Sequence, residues 1–276
     1  MTATHDDALR GFTRRALTFD GETRDVHVAG RGPAVIVMHE IPGLHPGVLA
    51  FARRLHAVGL TTYLPSLIGE PGRAMTARYT AASLARACVA REFSTWATNQ
   101  TSQIVGWLRR LAVHAHHECG GPGVGAIGMC LTGGFALGMM VEPAVIAPVL
   151  SQPSLPFPIT ARPRRDLGID AATRAAIVAR ADICVLGLRF TGDRLVPPER
   201  FTALRDLLGE RFIAVEIDSS PGNAHGIGRR AHAVLTHDLV DEPGHPTRAA
   251  LDRVVTFFTD RLRPPPPITT LTARGD

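Results

Sequence analysis

The chain of 276 residues contains no lysine, and all 30 of its basic side chains are arginine. Schiff-base and pyridoxal-type catalysis needs a reactive amine, and P-loop nucleotide hydrolysis needs a Gly-Lys-Ser/Thr signature, so both are excluded. Aromatic residues make up only 5 % of the chain, too few for base-stacking platforms. The arginines are scattered, so the net charge of +5 does not point to nucleic acid. No apolar run reaches the roughly 18 residues of a membrane span, and the N-terminus carries Asp6 and Asp7 without the apolar stretch of a secretory signal. The four cysteines, Cys88, Cys119, Cys130 and Cys184, form no CxxC pair, which fits a reduced, cytoplasmic compartment.

What is present is globular composition, 45 % hydrophobic and 20 % charged, with strands alternating with helices. Ala16 to Phe19 and Arg24 to Val28 flank Asp20-Gly21, a tight-turn dipeptide, and predict an opening hairpin. Ala34 to Met38 is an unbroken apolar run of the kind found in strands buried on both faces. Further strands are predicted at Leu60–Leu64, Gly123–Met129, Val145–Leu150, Ile183–Phe190 and Phe212–Ile217. Helices are predicted at Pro46–Val58, within Thr76–Ala115, and at Gly133–Val141, Pro198–Leu208 and Pro246–Leu262. In the long helical region Leu84, Cys88, Phe93, Ile104, Trp107, Leu108 and Leu111 read as inward positions. The pattern predicts one α/β domain over residues 1–276, a mostly parallel central sheet with helices on both faces, and flexible termini at 1–12 and 264–276. Ser151 to Asp170, rich in proline and arginine, reads as a loop or lid over a site.

Two motifs mislead. Gly123-Val124-Gly125-Ala126-Ile127-Gly128 matches the dinucleotide fingerprint literally, but its glycines fall before and within the strand instead of at the helix start where pyrophosphate would bind. His114, His116, His117, Glu118 and Cys119 suggest a metal cluster, yet consecutive residues diverge and no second ligand group follows at suitable spacing. Neither a cofactor nor a metal is expected.

Gly128-Met129-Cys130-Leu131-Thr132-Gly133-Gly134 is more specific. It lies between a buried strand and a small-residue helix, where a sharp turn lifts one side chain above the sheet. The helix N-terminus favours a thiolate there, and the Leu131 N–H sits where an acyl oxyanion would develop. Cys130 is therefore the candidate nucleophile, whereas Cys88 and Cys184, inside a helix and a strand, read as small buried hydrophobes.

With Met38-His39-Glu40-Ile41-Pro42-Gly43 after the third strand and Thr191-Gly192-Asp193-Arg194-Leu195-Val196-Pro197 after a later one, the sequence resembles the dienelactone hydrolase family of α/β-hydrolases from about Ala34 to Leu262. The resemblance implies the α/β-hydrolase fold and the chain order nucleophile, acid, histidine, which gives Cys130, Asp193 and a histidine. His232 is favoured for the base, by its distance from the last helix; His225, nearer the last strand and followed by Arg229, is the alternative. The resemblance also implies that Glu40 pairs with the nucleophile at rest and that the Ile41 N–H completes the oxyanion hole with Leu131. Thr132 departs from the family, which usually places glycine there, and Thr236 stands where the family has a carboxylate-binding arginine after its histidine. Arg86, Arg91 and Arg229 are the candidates for holding an anionic substrate group. The expected protein is a monomer or small homo-oligomer that cleaves a small ester or lactone. A thioesterase or peptidase using the same triad, or a non-catalytic ligand-binding protein of this fold, would share these features.

Overall fold

The computed structural model describes residues 5–89, 103–158 and 164–263. Eight strands form one sheet in the order β1-β2-β4-β3-β5-β6-β7-β8. They are β1 (Thr13–Phe19), β2 (Glu22–Gly30), β3 (Ala34–Met38), β4 (Thr61–Pro65), β5 (Val124–Met129), β6 (Val145–Ser151), β7 (Val185–Phe190) and β8 (Phe212–Ile217). β1 and β2 pair antiparallel, as do β2 and β4, and every other pairing is parallel. The hairpin turns at Asp20 and Gly21, both at positive φ (51° and 82°), the backbone that an Asp-Gly pair tolerates best.

Eight helices accompany the sheet among the described residues: α1 (His5–Ala8), α2 (Pro46–Ala57), α3 (Ala77–Val89), α4 (Gln103–Cys119), α5 (Gly133–Met139), α6 (Ala171–Ala179), α7 (Pro198–Leu208) and α8 (Pro246–Leu262). The alternation of β3 divides the core: Ile36 and Met38 join α4, α5 and α7 on one face, and Val35 and Val37 join α2 and α8 on the other. Among the described residues no helix is long and apolar enough to cross a membrane.

Three differences from the sequence reading have physical causes. α6 was not anticipated: Asp170 caps it through the Thr173 N–H at 2.6 Å, but its alanine-rich sequence carries a weak stripe and buries only Thr173 and Ile177. Leu84, expected inward, is 40 % exposed, because this face of α3 borders an open cavity. Ile104, Trp107, Leu108 and Leu111 are buried on α4, whereas Phe93 and the Cys88 side chain lie outside the described residues. Ala8 and Arg10, within the expected N-terminal tail, are held by Arg53, which donates to their carbonyls at 2.7 and 3.2 Å; residues 1–4 and 264–276 lie outside the described set.

The glycines of the dinucleotide-like motif serve packing. A Cβ on Gly125 would stand 2.7 Å from Phe258, and one on Gly128 would stand 2.0 Å from the Thr132 carbonyl oxygen. The His114–Cys119 run closes α4, where Glu118 pairs with Arg15 at 2.8 Å and accepts a hydrogen bond from Tyr63.

The register aligns the strand ends that matter. Met38 lies opposite Gly128, Met129 opposite Ser151, Ser151 opposite Leu188 and Phe190 opposite Ile217. The loops leaving β3, β5, β6, β7 and β8 therefore emerge at one edge, the carboxyl edge where open α/β sheets bind ligands.

Candidate active site

Cys130 is the first residue after β5 and has φ +56°. A non-glycine residue in this region costs on the order of 1–3 kcal/mol and persists only where its surroundings over-determine it. Here they do. Gly128 leaves room for the returning backbone, and a Cβ on Gly133 would meet the Pro153 Cα at 2.5 Å. Thr132, the departure from the family pattern, is itself a fastener. Its buried Oγ1 accepts from the Met129 N–H at 2.9 Å and lies 3.0–3.1 Å from the carbonyl oxygens of Met38, His39 and Met129. The hydroxyl thus ties the elbow to the end of β3.

The structure brings Asp193 and His232 to this elbow. His232 Nδ1 is 2.6 Å from Asp193 Oδ2, and Asp193 Oδ1 accepts from the Leu195 N–H at 2.9 Å. A carboxylate accepts only, so Nδ1 carries the proton and Nε2 is left basic. Nε2 is buried and has no hydrogen-bond partner of ordinary geometry among the described residues. Burial alone would lower the His232 pKa. Its electrostatic interaction with Cys130 and its hydrogen bond to Asp193 outweigh burial and hold the imidazole well above its ordinary value. Asp238 fixes the histidine loop by accepting from the His232 and Ala233 N–H groups at 2.8 and 2.9 Å. His225 is not brought in: it is exposed and packs edge-on against His245, with ring centroids 5.3 Å apart.

Glu40 differs from the implied pairing. It is buried, and its oxygens are engaged away from the sulfur: Oε1 accepts from His45 Nε2 (3.1 Å) and the Thr236 hydroxyl, and Oε2 accepts from Gln152 Nε2 (2.9 Å). His45 Nδ1 caps α2 by accepting from the Gly47 N–H, which leaves Nε2–H as the donor. Burial pushes the Glu40 carboxyl up, but the His45 and Thr236 bonds and the nearby His232 charge bring it below its ordinary value. The polar neighbour of Cys130 is instead Ser154, fully buried, with Oγ 3.4 Å from Cys130 Sγ and its N–H 3.1 Å from the Cys130 carbonyl oxygen. The 152–156 segment is braced from α7 by buried Arg200, which donates to the carbonyls of Pro153 (2.8 Å) and Pro156.

His45, Gln152 and Ser154 were not anticipated, and Thr236 was noticed only as a substituted arginine. No local motif marks them, because they converge from separate loops. His39, in the motif after β3, is another buried histidine. Its Nε2 accepts the N–H groups of Leu67 (3.0 Å) and Ile68 (3.2 Å), and its Nδ1 donates to the Glu40 carbonyl (2.9 Å), which joins the loops after β3 and β4. Burial, only partly offset by that carbonyl, lowers its pKa to about 4. The unfolded imidazole titrates near ~6.5, so between these values the unfolded chain binds more protons. The His39 contribution, about 3 kcal/mol, is present above pH ~6.5 and lost as pH falls toward 4. Urea unfolding at pH 7 and pH 4.5 is expected to show a smaller loss for His39→Gln than for the wild type; equal losses would remove His39 from the account.

A cavity of about 590 Å³ opens over Cys130, bordered by Ile41, Leu131, Phe157, Met75, Leu84 and His232. The candidate arginines are not inside it. Arg86 lines a separate pocket with Arg73 and Arg78, Arg229 lines a cleft beside Asp193, and Arg91 lies outside the described residues. Arg230 borders both the cleft and the cavity. Among the described residues no cluster of His, Cys, Asp and Glu is suited to hold a metal ion.

The dienelactone hydrolase family model matches residues 22–262. The chain belongs to the dienelactone hydrolase family. Several solved structures resemble this family member in fold. A dienelactone hydrolase candidate from Klebsiella pneumoniae is 19 % identical, with 90 % of this chain and 98 % of that chain covered and a TM-score of 0.60. The dienelactone hydrolase of Anabaena variabilis is 17 % identical, with coverages of 92 % and 100 % and a TM-score of 0.55. A dienelactone hydrolase-like promiscuous phosphotriesterase from metagenomic libraries is 18 % identical, with coverages of 91 % and 99 % and a TM-score of 0.56. At these identities the likeness is one of fold. No curated protein matches this dienelactone hydrolase family chain.

Proposed function

We propose that this hydrolase cleaves a carboxylic ester or lactone by covalent catalysis through Cys130, with His232 as base and acid and Asp193 as its orienting partner. His232 Nε2 takes the thiol proton as sulfur attacks the carbonyl carbon. The tetrahedral oxyanion is held by the N–H groups of Leu131 and Ile41. Collapse breaks the ester C–O bond, and His232 gives its proton to the leaving oxygen. Water, deprotonated by the same nitrogen, then hydrolyses the thioester and releases Cys130. Ser154 steadies the sulfur with its hydroxyl, and Glu40 acts as an anchor for the oxyanion loop.

The observation that carries this reading is the pairing of a cysteine held at φ +56° with a half-buried imidazole whose other nitrogen is bound to a carboxylate at 2.6 Å. Packing alone has no use for the combination. Iodoacetamide, followed by peptide mass spectrometry, is expected to alkylate Cys130 at least about tenfold faster than Cys88, Cys119 or Cys184 at neutral pH. His232→Ala is expected to erase the difference. If Cys130 reacted no faster than the others in the wild type, the catalytic reading would fail and a ligand-binding role would replace it.

A further inference from the structure

Two cavities meet at His232, and their linings are chemically opposite. The cavity over Cys130 is bordered by apolar side chains that the free protein leaves in water: Met75 is 36 % exposed, Leu84 40 % and Leu195 41 %. Three of the five exposed large hydrophobic residues among those described thus gather at one opening. Such surface is retained where a ligand covers it. The second cleft, about 400 Å³, lies beside Asp193 and is lined by Arg194, Arg229 and Arg230. Leu195, Arg230 and His232 line both, so the two openings share a wall.

Arg194, Arg229 and Arg230 have no carboxylate partner among the described residues. Arg54, Arg164 and Arg205 are each spent on a carboxylate, whereas Arg194, Arg229 and Arg230 are exposed and have no hydrogen bond or ion pair with any described residue. The acids nearby offer no compensation, because Asp193 is taken up by His232 and the Leu195 N–H, and Asp238 by two backbone N–H groups. The cleft is therefore a net cationic recess. His232 fixes which part of a substrate faces it: the leaving atom must come within reach of Nε2 to be protonated, so the leaving group departs on the His232 side. The acyl group is left to the apolar side, against Met75, Leu84 and Phe157.

We propose that the substrate is bipartite, with an uncharged apolar acyl group on the Met75–Leu84 side and a leaving group that carries a carboxylate or phosphate held by Arg194, Arg229 and Arg230. This rests on the reading of Cys130 as the nucleophile. It places the negative charge on the departing alcohol, and excludes an acidic acyl group.

Three esters test both halves: 4-nitrophenyl acetate, 4-nitrophenyl hexanoate and 3-carboxy-4-nitrophenyl hexanoate. Each buried methylene is worth at most about fourfold, and a rim this exposed realises about half of that. kcat/KM is therefore expected to rise about tenfold or more from acetate to hexanoate, and Leu84→Ser is expected to reduce that ratio. The carboxylated leaving group is expected to add about fivefold at low salt, since partly exposed charge pairs are worth that much. The gain should vanish at about 0.5 M salt, where the screening length falls to a few ångströms. The Arg194→Ala/Arg229→Ala double variant should lose it as well; if that variant fails to fold, the salt titration of the wild type decides alone.

A flat acyl profile, or no salt-sensitive gain from the carboxylate, overturns the proposal while leaving the Cys130 mechanism intact. Hydrolysis that persists unchanged in Cys130→Ala overturns the mechanism and this inference with it. Self-association that Leu84→Ser abolishes, without any change in acyl selectivity, would assign the apolar rim to a second copy of the chain and overturn the acyl half.

Discussion

Cys130→Ala is expected to lower kcat/KM on 4-nitrophenyl hexanoate by about 10⁴-fold or more, with the folded state intact. The side chain is half-buried at the cavity floor, and alanine keeps the backbone course while deleting the sulfur. His232→Ala is expected to cost a comparable factor, because nucleophile and base act as one unit and either loss forfeits the covalent route. The double variant should be little worse than either single one, which is the signature of that unity. Asp193→Asn keeps the shape but lets the imidazole adopt the wrong tautomer, with an expected loss of up to about 10⁴-fold. His225→Ala supplies the contrast. Its exposed ring packs only on His245, so full activity is expected, and a collapse there with His232→Ala still active would transfer the base to His225.

Glu40→Ala is expected to destabilise the protein by about 3 kcal/mol or more, because three donors, two of them buried, lose their acceptor at once. For a chain of this size that corresponds to a fall in Tm on the order of 5–10 °C. Glu40→Gln should fall between. Its amide oxygen can still serve His45 and Thr236, but its NH₂ would face the Gln152 NH₂, and Gln152 can turn only by giving up its bond from Ser151. In folded Glu40→Gln protein, alkylation of Cys130 is expected to change less than about threefold, since the sulfur sits against Ser154. The opposite pattern, wild-type stability with much slower alkylation, would reinstate the resting pair of Glu40 with Cys130 that the family resemblance implies.

Local chemistry made some of this site legible and left the rest hidden. The apolar runs of β3 and β5 are buried on both faces because helices cover both, and an unbroken hydrophobic run encodes just that. The turn at Cys130 was readable because close backbone approach demands glycine at 128 and 133, and that demand is written in adjacent residues. The polar partners were not readable for the converse reason. Glu40 collects its donors from the start of α2, from the loop after β6 and from the histidine loop, three segments separated by about a hundred residues each in the chain. Leu84 misled because a helical stripe records an apolar face without recording what covers it. Arg86 misled similarly: arginine near a site in sequence says nothing about which opening its long side chain borders, and here it is a different one.

One hydroxyl sets a mechanical relation across the active site. Thr132 Oγ1 holds carbonyls at the end of β3 and an N–H at the end of β5 within a single hydrogen-bond radius. Of the two backbone N–H groups proposed for the oxyanion, that of Ile41 sits two residues past the His39 anchor and that of Leu131 two residues past the Met129 anchor. Their separation is thus gauged by a covalently rigid side chain, and does not depend on the softer packing of two loops. An elbow with glycine at that position would have to find this gauge elsewhere. In this chain the width of the proposed oxyanion hole is built into the turn at Cys130.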